Sequence, residues 1–170
     1  MEIPFIKYIA DTQHYDDVLA RAVSVKHTLW IGTAHIKDVY VKSGMSAVSL
    51  LAVFDKLVKK NVAIRLIHAK EPGPIFREEH EKFPSLWSSM EMTLCPRVHF
   101  KLMIFDMETA YIGSANLTGA GIGMKSGQKR NFEAGILTNE PSLVNAADEV
   151  WRGKFCEKCG RKSYCGGPIR

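Results

Sequence analysis

Apolar residues recur along the chain with two different periods, and the alternation between them predicts its elements. From Tyr15 to Val25 the apolar positions Val18, Leu19, Ala22 and Val23 fall at helical spacing, with Asp11 and Thr12 placed to cap the segment. The run from His27 to Ile36 is β-rich and predicts a buried strand. Beyond Gly44 the spacing of Val48, Leu51, Ala52, Leu57 and Val58 predicts a helix from Met45 to Lys60, and a strand follows from Val62 to His68. A strand, a helix and a strand in this order imply a parallel pair joined by a right-handed crossover. The segment Glu71-Pro72-Gly73-Pro74 interrupts the pattern, and a short charged helix over 75–82 comes after it. Strands are predicted at 98–105, 109–113 and 132–138, with Asp106 and Met107 in a tight turn between the first two. A last helix covers Pro141 to Trp151. The fold class is α/β: a mixed, largely parallel sheet flanked by helices on both faces.

With 170 residues the chain is long enough for one self-sufficient core. Residues 1–154 read as a single catalytic domain, and 155–170 as a Gly- and Cys-rich tail packed on it. A hydrophobic fraction of 46% and a charged fraction of 24% are those of a soluble globular protein. No stretch is apolar for long enough to cross a bilayer, so no stable membrane association is expected. The start, Met-Glu-Ile-Pro-Phe-Ile-Lys, lacks the basic and then apolar pattern of a secretory signal, which predicts a cytoplasmic protein. The net charge of +5 favours an anionic partner, of which a phosphate backbone is the commonest.

One segment carries chemistry that the rest lacks: His99-Phe-Lys101-Leu-Met-Ile-Phe-Asp106, followed by Gly113-Ser114-Ala-Asn116. Residues two apart on a strand share a face, so His99 and Lys101 point one way and Phe100 and Leu102 the other. An imidazole beside a fixed ammonium suits attack on an anion. Gly113 and Ser114 leave a strand and lead into an expected helix over 116–120, whose first N–H groups would join the Ser and Asn side chains as an anion cradle.

The pattern His-x-Lys-x4-Asp-x6-Gly-Ser-x-Asn resembles the signature of the phospholipase D superfamily at every specified position, and the likeness extends over roughly residues 10–150. That family also carries an acidic residue on the next strand, a place that Glu133 fits. The resemblance implies that His99 attacks phosphorus and forms a phosphohistidine, without a metal or other cofactor. It implies that Lys101, Ser114 and Asn116 hold the phosphate oxygens, and that Glu133 accepts a hydrogen bond from the imidazole. Asp106 is expected in a supporting role, holding the turn or the lysine. The mechanism needs two histidines and the motif occurs once. The nearest second His-x-Lys, His35-Ile-Lys37, lacks the residues that should follow it. A homodimer in which the partner supplies the second histidine is therefore implied.

Three cysteines crowd the tail, Cys156, Cys159 and Cys165, and the fourth of the chain, Cys95, precedes the catalytic strand. Their spacing suits structural zinc or a [4Fe–4S] cluster as well as it suits free thiols. Taken singly, His35, His68, His80 and His14 read as structural or surface residues, and Trp30 and Trp87 as core. The basic loop Lys125–Arg130 divides evenly between solvated loop and substrate contact. Small size, one motif and basic charge favour an endonuclease acting on DNA or RNA. The alternatives are a lipid phosphodiesterase, or a non-catalytic nucleic-acid-binding subunit of a larger assembly.

Overall fold

A computed structural model describes residues 3–152 apart from Gly44. Nine strands are described: β1 (Ile6–Ala10), β2 (Thr28–Thr33), β3 (Tyr40–Ser43), β4 (Ser46–Ser49), β5 (Ala63–His68), β6 (Met90–Leu94), β7 (Lys101–Phe105), β8 (Thr109–Gly113) and β9 (Ala134–Thr138). Four α-helices accompany them: α1 (Leu50–Val58), α2 (Pro74–Glu81), α3 (Pro84–Ser89) and α4 (Pro141–Trp151). Seven strands form one sheet in the order β1-β9-β8-β7-β2-β5-β6, and β3 and β4 form a separate hairpin.

The sheet is mixed, as expected, and its parallel pairs are confined to β2–β5 and β5–β6, where helices make the crossovers. On the other side of β2, the pairs β2–β7, β7–β8, β8–β9 and β1–β9 are antiparallel. Strand β2 is central and buried on both faces. Its Leu29 and Ile31 enter a core shared with Leu50, Leu51 and Phe54 of α1, and its Trp30 enters a second core with Val144, Ala147 and Trp151 of α4. Trp30 stacks on Trp151 at 4.8 Å, a core role as expected for it.

Several elements depart from the sequence pattern. The expected helix from Tyr15 is not regular α-helix. A wide π turn over His14–Val18 runs into a 3-10 turn over Leu19–Ser24, which buries His14, Val18, Leu19 and Ala22 together. The expected helix from Met45 starts at Leu50. Met45 sits in the turn of the β3–β4 hairpin, which pairs Val41 with Val48, and Ser49 then caps α1 by accepting from the Ala52 N–H at 3.1 Å. Helical spacing alone could not register the competing hairpin. Strands β1 and β6 and helix α3 had no counterpart in the reading of the sequence. Strand β1 lies at the sheet edge with Ile6 and Tyr8 exposed, so it shows little burial pattern to read. The tail, with Cys156, Cys159 and Cys165, lies outside the described residues.

Candidate active site

The site lies at the sheet edge where β2 and β5 end and β7 begins. Lys101 is the first residue of β7, which begins three residues later than the expected start at Val98. The chain ahead of it turns at Cys95, where the Val98 N–H donates to the Cys95 carbonyl at 3.0 Å and the Val98 side chain is buried. His99 follows as an exposed residue just outside the strand. The two still meet. The Lys101 ammonium lies 3.4 Å from each imidazole nitrogen and donates to the His99 carbonyl at 2.6 Å. Phe100 turns to the opposite face, where its ring occupies the space that a Cβ on Gly32 would need.

Lys101 is only 7% exposed. Burial pushes its ammonium below the ordinary lysine value, against an opposing pull from Glu133. A buried cation whose nearest neighbours include an imidazole is poised to receive an anion, because bringing the anion in relieves its desolvation.

Glu133 sits one residue before β9 rather than on it. Its carboxylate accepts from the Ser114 hydroxyl at 2.5 Å and from the Asn131 amide at 3.1 Å. The imidazole partnership expected for it is replaced by this pair. A serine hydroxyl has one proton. That proton faces the Glu133 carboxylate, with the Ala134 carbonyl 3.2 Å from the same Oγ, so Ser114 tethers the carboxylate to the start of β9. The same Oγ accepts from the Ala134 N–H at 3.0 Å, which fixes the Gly113–Ser114 segment to β9.

Asn116 is oriented by the end of β2. Its Oδ1 accepts the His35 backbone N–H at 3.1 Å, and since only the oxygen can do so, the amide N–H2 group is turned the other way. The expected helix over 116–120 does not form. The segment makes successive turns, with Thr118 N–H to the Asn116 carbonyl at 2.7 Å and Gly121 N–H to Thr118 Oγ1 at 3.1 Å. Glycines at 119, 121 and 123 and the competing Thr118 hydroxyl favour turns over helix. No helix terminus therefore contributes to the cradle.

Asp106 stands at the far end of β7 from Lys101. Its carboxylate accepts from the backbone N–H groups of Lys26, His27 and Thr28 at 3.0, 2.6 and 2.9 Å. Burial works to raise this carboxyl, but the backbone donors prevail and hold it below the ordinary aspartate range. It secures the β7–β8 turn and the start of β2. It does not hold the lysine and does not reach the site.

Two features of the site escaped the sequence pattern. Tyr111 is buried under Gly113 and Gly135, which face each other across β8 and β9, and an added Cβ on either would strike its ring or hydroxyl. Its hydroxyl accepts the Ala115 N–H at 3.3 Å, and burial pushes its ionisation up to about 12. His35 is the other. It lies close enough to the site that burial, then the charges of Lys70, Lys101, Lys37 and His99, hold its imidazole below the ordinary histidine value. His68 is structural, as expected: it is buried, with Nδ1 2.8 Å from the Lys70 carbonyl. The Lys125–Arg130 loop is mostly exposed, and its Arg130 N–H closes a turn on the Ser126 carbonyl at 3.1 Å. Cys95 is buried, with its N–H on the His68 carbonyl at 2.7 Å. Among the described residues no three His, Cys, Asp or Glu side chains gather as metal ligands.

The model of the family described as cardiolipin synthase, PLD-like domain, matches residues 18–152. NucT from Helicobacter pylori superposes with a TM-score of 0.64 at 11% identity, over 97% of this chain and 99% of that one. Nuc from Salmonella typhimurium, a phospholipase D family member, superposes with a TM-score of 0.64 at 17% identity, over 90% of this chain and 95% of that one. TrmBL2, an archaeal chromatin protein, superposes with a TM-score of 0.57 at 13% identity, over 93% of this chain and 54% of that one. No curated protein sequence matches. At these identities the solved structures establish the shared fold. Together with the family match across most of its length, this shows that the chain belongs to the phospholipase D superfamily.

Proposed function

We propose that the protein is an endonuclease that hydrolyses DNA or RNA phosphodiester bonds through a phosphohistidine on His99. The observation that carries the reading is the buried Lys101 ammonium 3.4 Å from both imidazole nitrogens of an exposed histidine. In the first step a nitrogen of His99 bonds to phosphorus while the phosphorus–oxygen bond to the leaving group breaks. The leaving oxygen takes a proton from a second imidazole. In the second step water gives a proton to that imidazole and attacks phosphorus, and the phosphorus–nitrogen bond breaks. Lys101 and the Asn116 amide N–H2 stabilise the charge gathering on the non-bridging oxygens. Ser114 holds Glu133, whose negative charge supports the protonated Lys101. None of these steps requires a metal ion.

The second imidazole is His99 of a partner subunit, in a homodimer whose two-fold axis passes beside the site. The positive net charge supports a nucleic acid substrate. So does the fold shared with Nuc, NucT and TrmBL2, the last described as showing a novel mode of DNA binding. A structural zinc or iron–sulfur site on Cys95, Cys156, Cys159 and Cys165 stays part of this reading on their sequence spacing alone, the last three lying outside the described residues.

A lipid phosphodiesterase is the second reading. It is favoured by the family description and by exposed Ile3, Ile6, Tyr8 and Phe132 around β1 and the start of β9. Among the described residues no helix is long and apolar enough to cross a membrane. The discriminating experiment offers the purified protein labelled oligonucleotides and phospholipid vesicles in parallel, with EDTA present. The nuclease reading expects strand cleavage. Phospholipid turnover with the oligonucleotides intact would replace it with the lipid reading.

A further inference from the structure

Three basic side chains beside the site, His35, Lys37 and Lys70, are left unused by hydrolysis of a single phosphodiester. Strand β2 pairs Thr33 with His68 of β5 and Gly32 with Leu102 of β7. His35 and Lys70 each follow two residues after the last paired positions of β2 and β5, and His99 precedes the first residue of β7 by two, so all three lie at the same edge of the sheet, where neighbouring strands are about 4.8 Å apart.

The backbone that follows β2 is tied to the Asn116 loop. The His35 N–H is held by Asn116 Oδ1 at 3.1 Å, and its carbonyl accepts from Thr33 Oγ1 at 2.8 Å. The next residue, Ile36, bridges to Leu117, and the Lys37 N–H donates to the Leu117 carbonyl at 3.0 Å. Lys37 and His35 are thus fixed relative to Asn116. Lys37 and Lys70 are exposed, and among the described residues neither ammonium forms an ion pair with a carboxylate. The His35 ring is half-buried and has no hydrogen-bond partner among the described residues. Burial first, and then the nearby charges of Lys70, Lys101, Lys37 and His99, hold that ring below the ordinary histidine value, in agreement with their proximity.

We propose that Lys37 and Lys70, with the His35 imidazole beside them, form a second anion subsite that holds the phosphate next to the scissile one in a polynucleotide strand. This rests on the nuclease reading and sharpens it. A diester with one phosphate places nothing there, whereas a nucleic acid strand always does. The subsite would therefore make the enzyme prefer a polyanionic chain over an isolated diester, without reading its bases.

The test compares the wild type with the double variant Lys37→Ala/Lys70→Ala on a labelled single-stranded oligonucleotide and on bis(p-nitrophenyl) phosphate, which has one phosphodiester. The expected result is unchanged turnover of the small diester and a KM for the oligonucleotide raised by about tenfold. The dependence of the logarithm of affinity on the logarithm of salt should become shallower by about 1.4, at roughly 0.7 per lost contact to a single strand. Equal losses on both substrates, or an unaltered oligonucleotide KM and salt slope, would overturn the subsite. Anisotropy of the same oligonucleotide bound to His99→Ala, with and without the lysine substitutions, separates the two claims. A wild type that cleaves only the small diester ends the nuclease reading. The subsite itself stands if the lysine substitutions still weaken binding, and falls if they do not.

Discussion

Asp106 and Lys101 occupy opposite ends of the same short strand, so a motif contiguous in sequence divides into two jobs. Lys101 opens β7 at the site, with its ammonium against His99. Asp106 closes the strand on the far side, at a positive φ of 53°, and gathers the backbone N–H groups of Lys26, His27 and Thr28. A strand of this length separates the two by about 16 Å. The aspartate acts on the fold, by tying the β7–β8 turn to the entry of central β2.

Asp106→Ala is therefore expected to lower stability by about 1–3 kcal/mol, because it leaves backbone donors unpaired and puts alanine in a left-handed conformation. Turnover per folded molecule should be unchanged. Because the folded carboxyl lies below its ordinary value of 3.8, its stabilisation is complete above that value and is lost as pH falls through the folded one. Urea titrations across acidic pH check this: the wild type should lose stability on acidification more steeply than the variant.

Lys101→Met should separate activity from stability. Removing the ammonium is expected to lower turnover by about two to three orders of magnitude. Stability at neutral pH should hold or rise, since a buried charge is exchanged for an apolar side chain. In the wild type the folded ammonium deprotonates below the ordinary lysine value of 10.5, so activity should decline on the alkaline side before that pH is reached. A pH–rate profile together with thermal melts of both proteins tests the pair of expectations.

Ser114 is assigned as the tether of Glu133, which a conservative substitution can probe. Ser114→Ala should reduce kcat by about 10- to 100-fold, the equivalent of a hydrogen bond to a charged group. Ser114→Thr keeps a hydroxyl and should recover most of it, with KM little altered in either. Loss of KM alone in the alanine variant would mean that Ser114 contacts substrate directly.

Gly113→Ala should destabilise the sheet by about 1–3 kcal/mol. Its Cβ would overlap the Tyr111 hydroxyl and fall 2.8 Å from the Ala134 carbonyl, so both the ring and β9 would have to move. Chemical denaturation measures the cost directly.

The catalytic half of the fold was legible because its signals are local. Buried strands such as β2, β7 and β8 are short apolar runs, and the pairing of His99 with Lys101 needs only their two-residue separation. What stayed hidden depends on partners distant in sequence. The acceptor role of Asp106 involves residues some 80 positions earlier, and the orientation of Asn116 is set by the His35 N–H from another strand. Edge strand β1 has exposed Ile6 and Tyr8 and so no alternating pattern to betray it. The helix expected from Met45 failed because its apolar spacing suits a helix and a hairpin equally, and Ser49 decides where α1 begins. His35 looked like an ordinary strand histidine, and its place beside the site depends on the Asn116 amide, 81 positions later, that accepts its N–H.

The most direct measurement of the central claim is mass spectrometry of the protein quenched in alkali during turnover of an oligonucleotide, with EDTA present. The expected result is an oligonucleotide-phosphoryl adduct on the peptide containing His99, absent from His99→Ala, which should also be inactive. Continued cleavage by His99→Ala, or an adduct on a different residue, would contradict it.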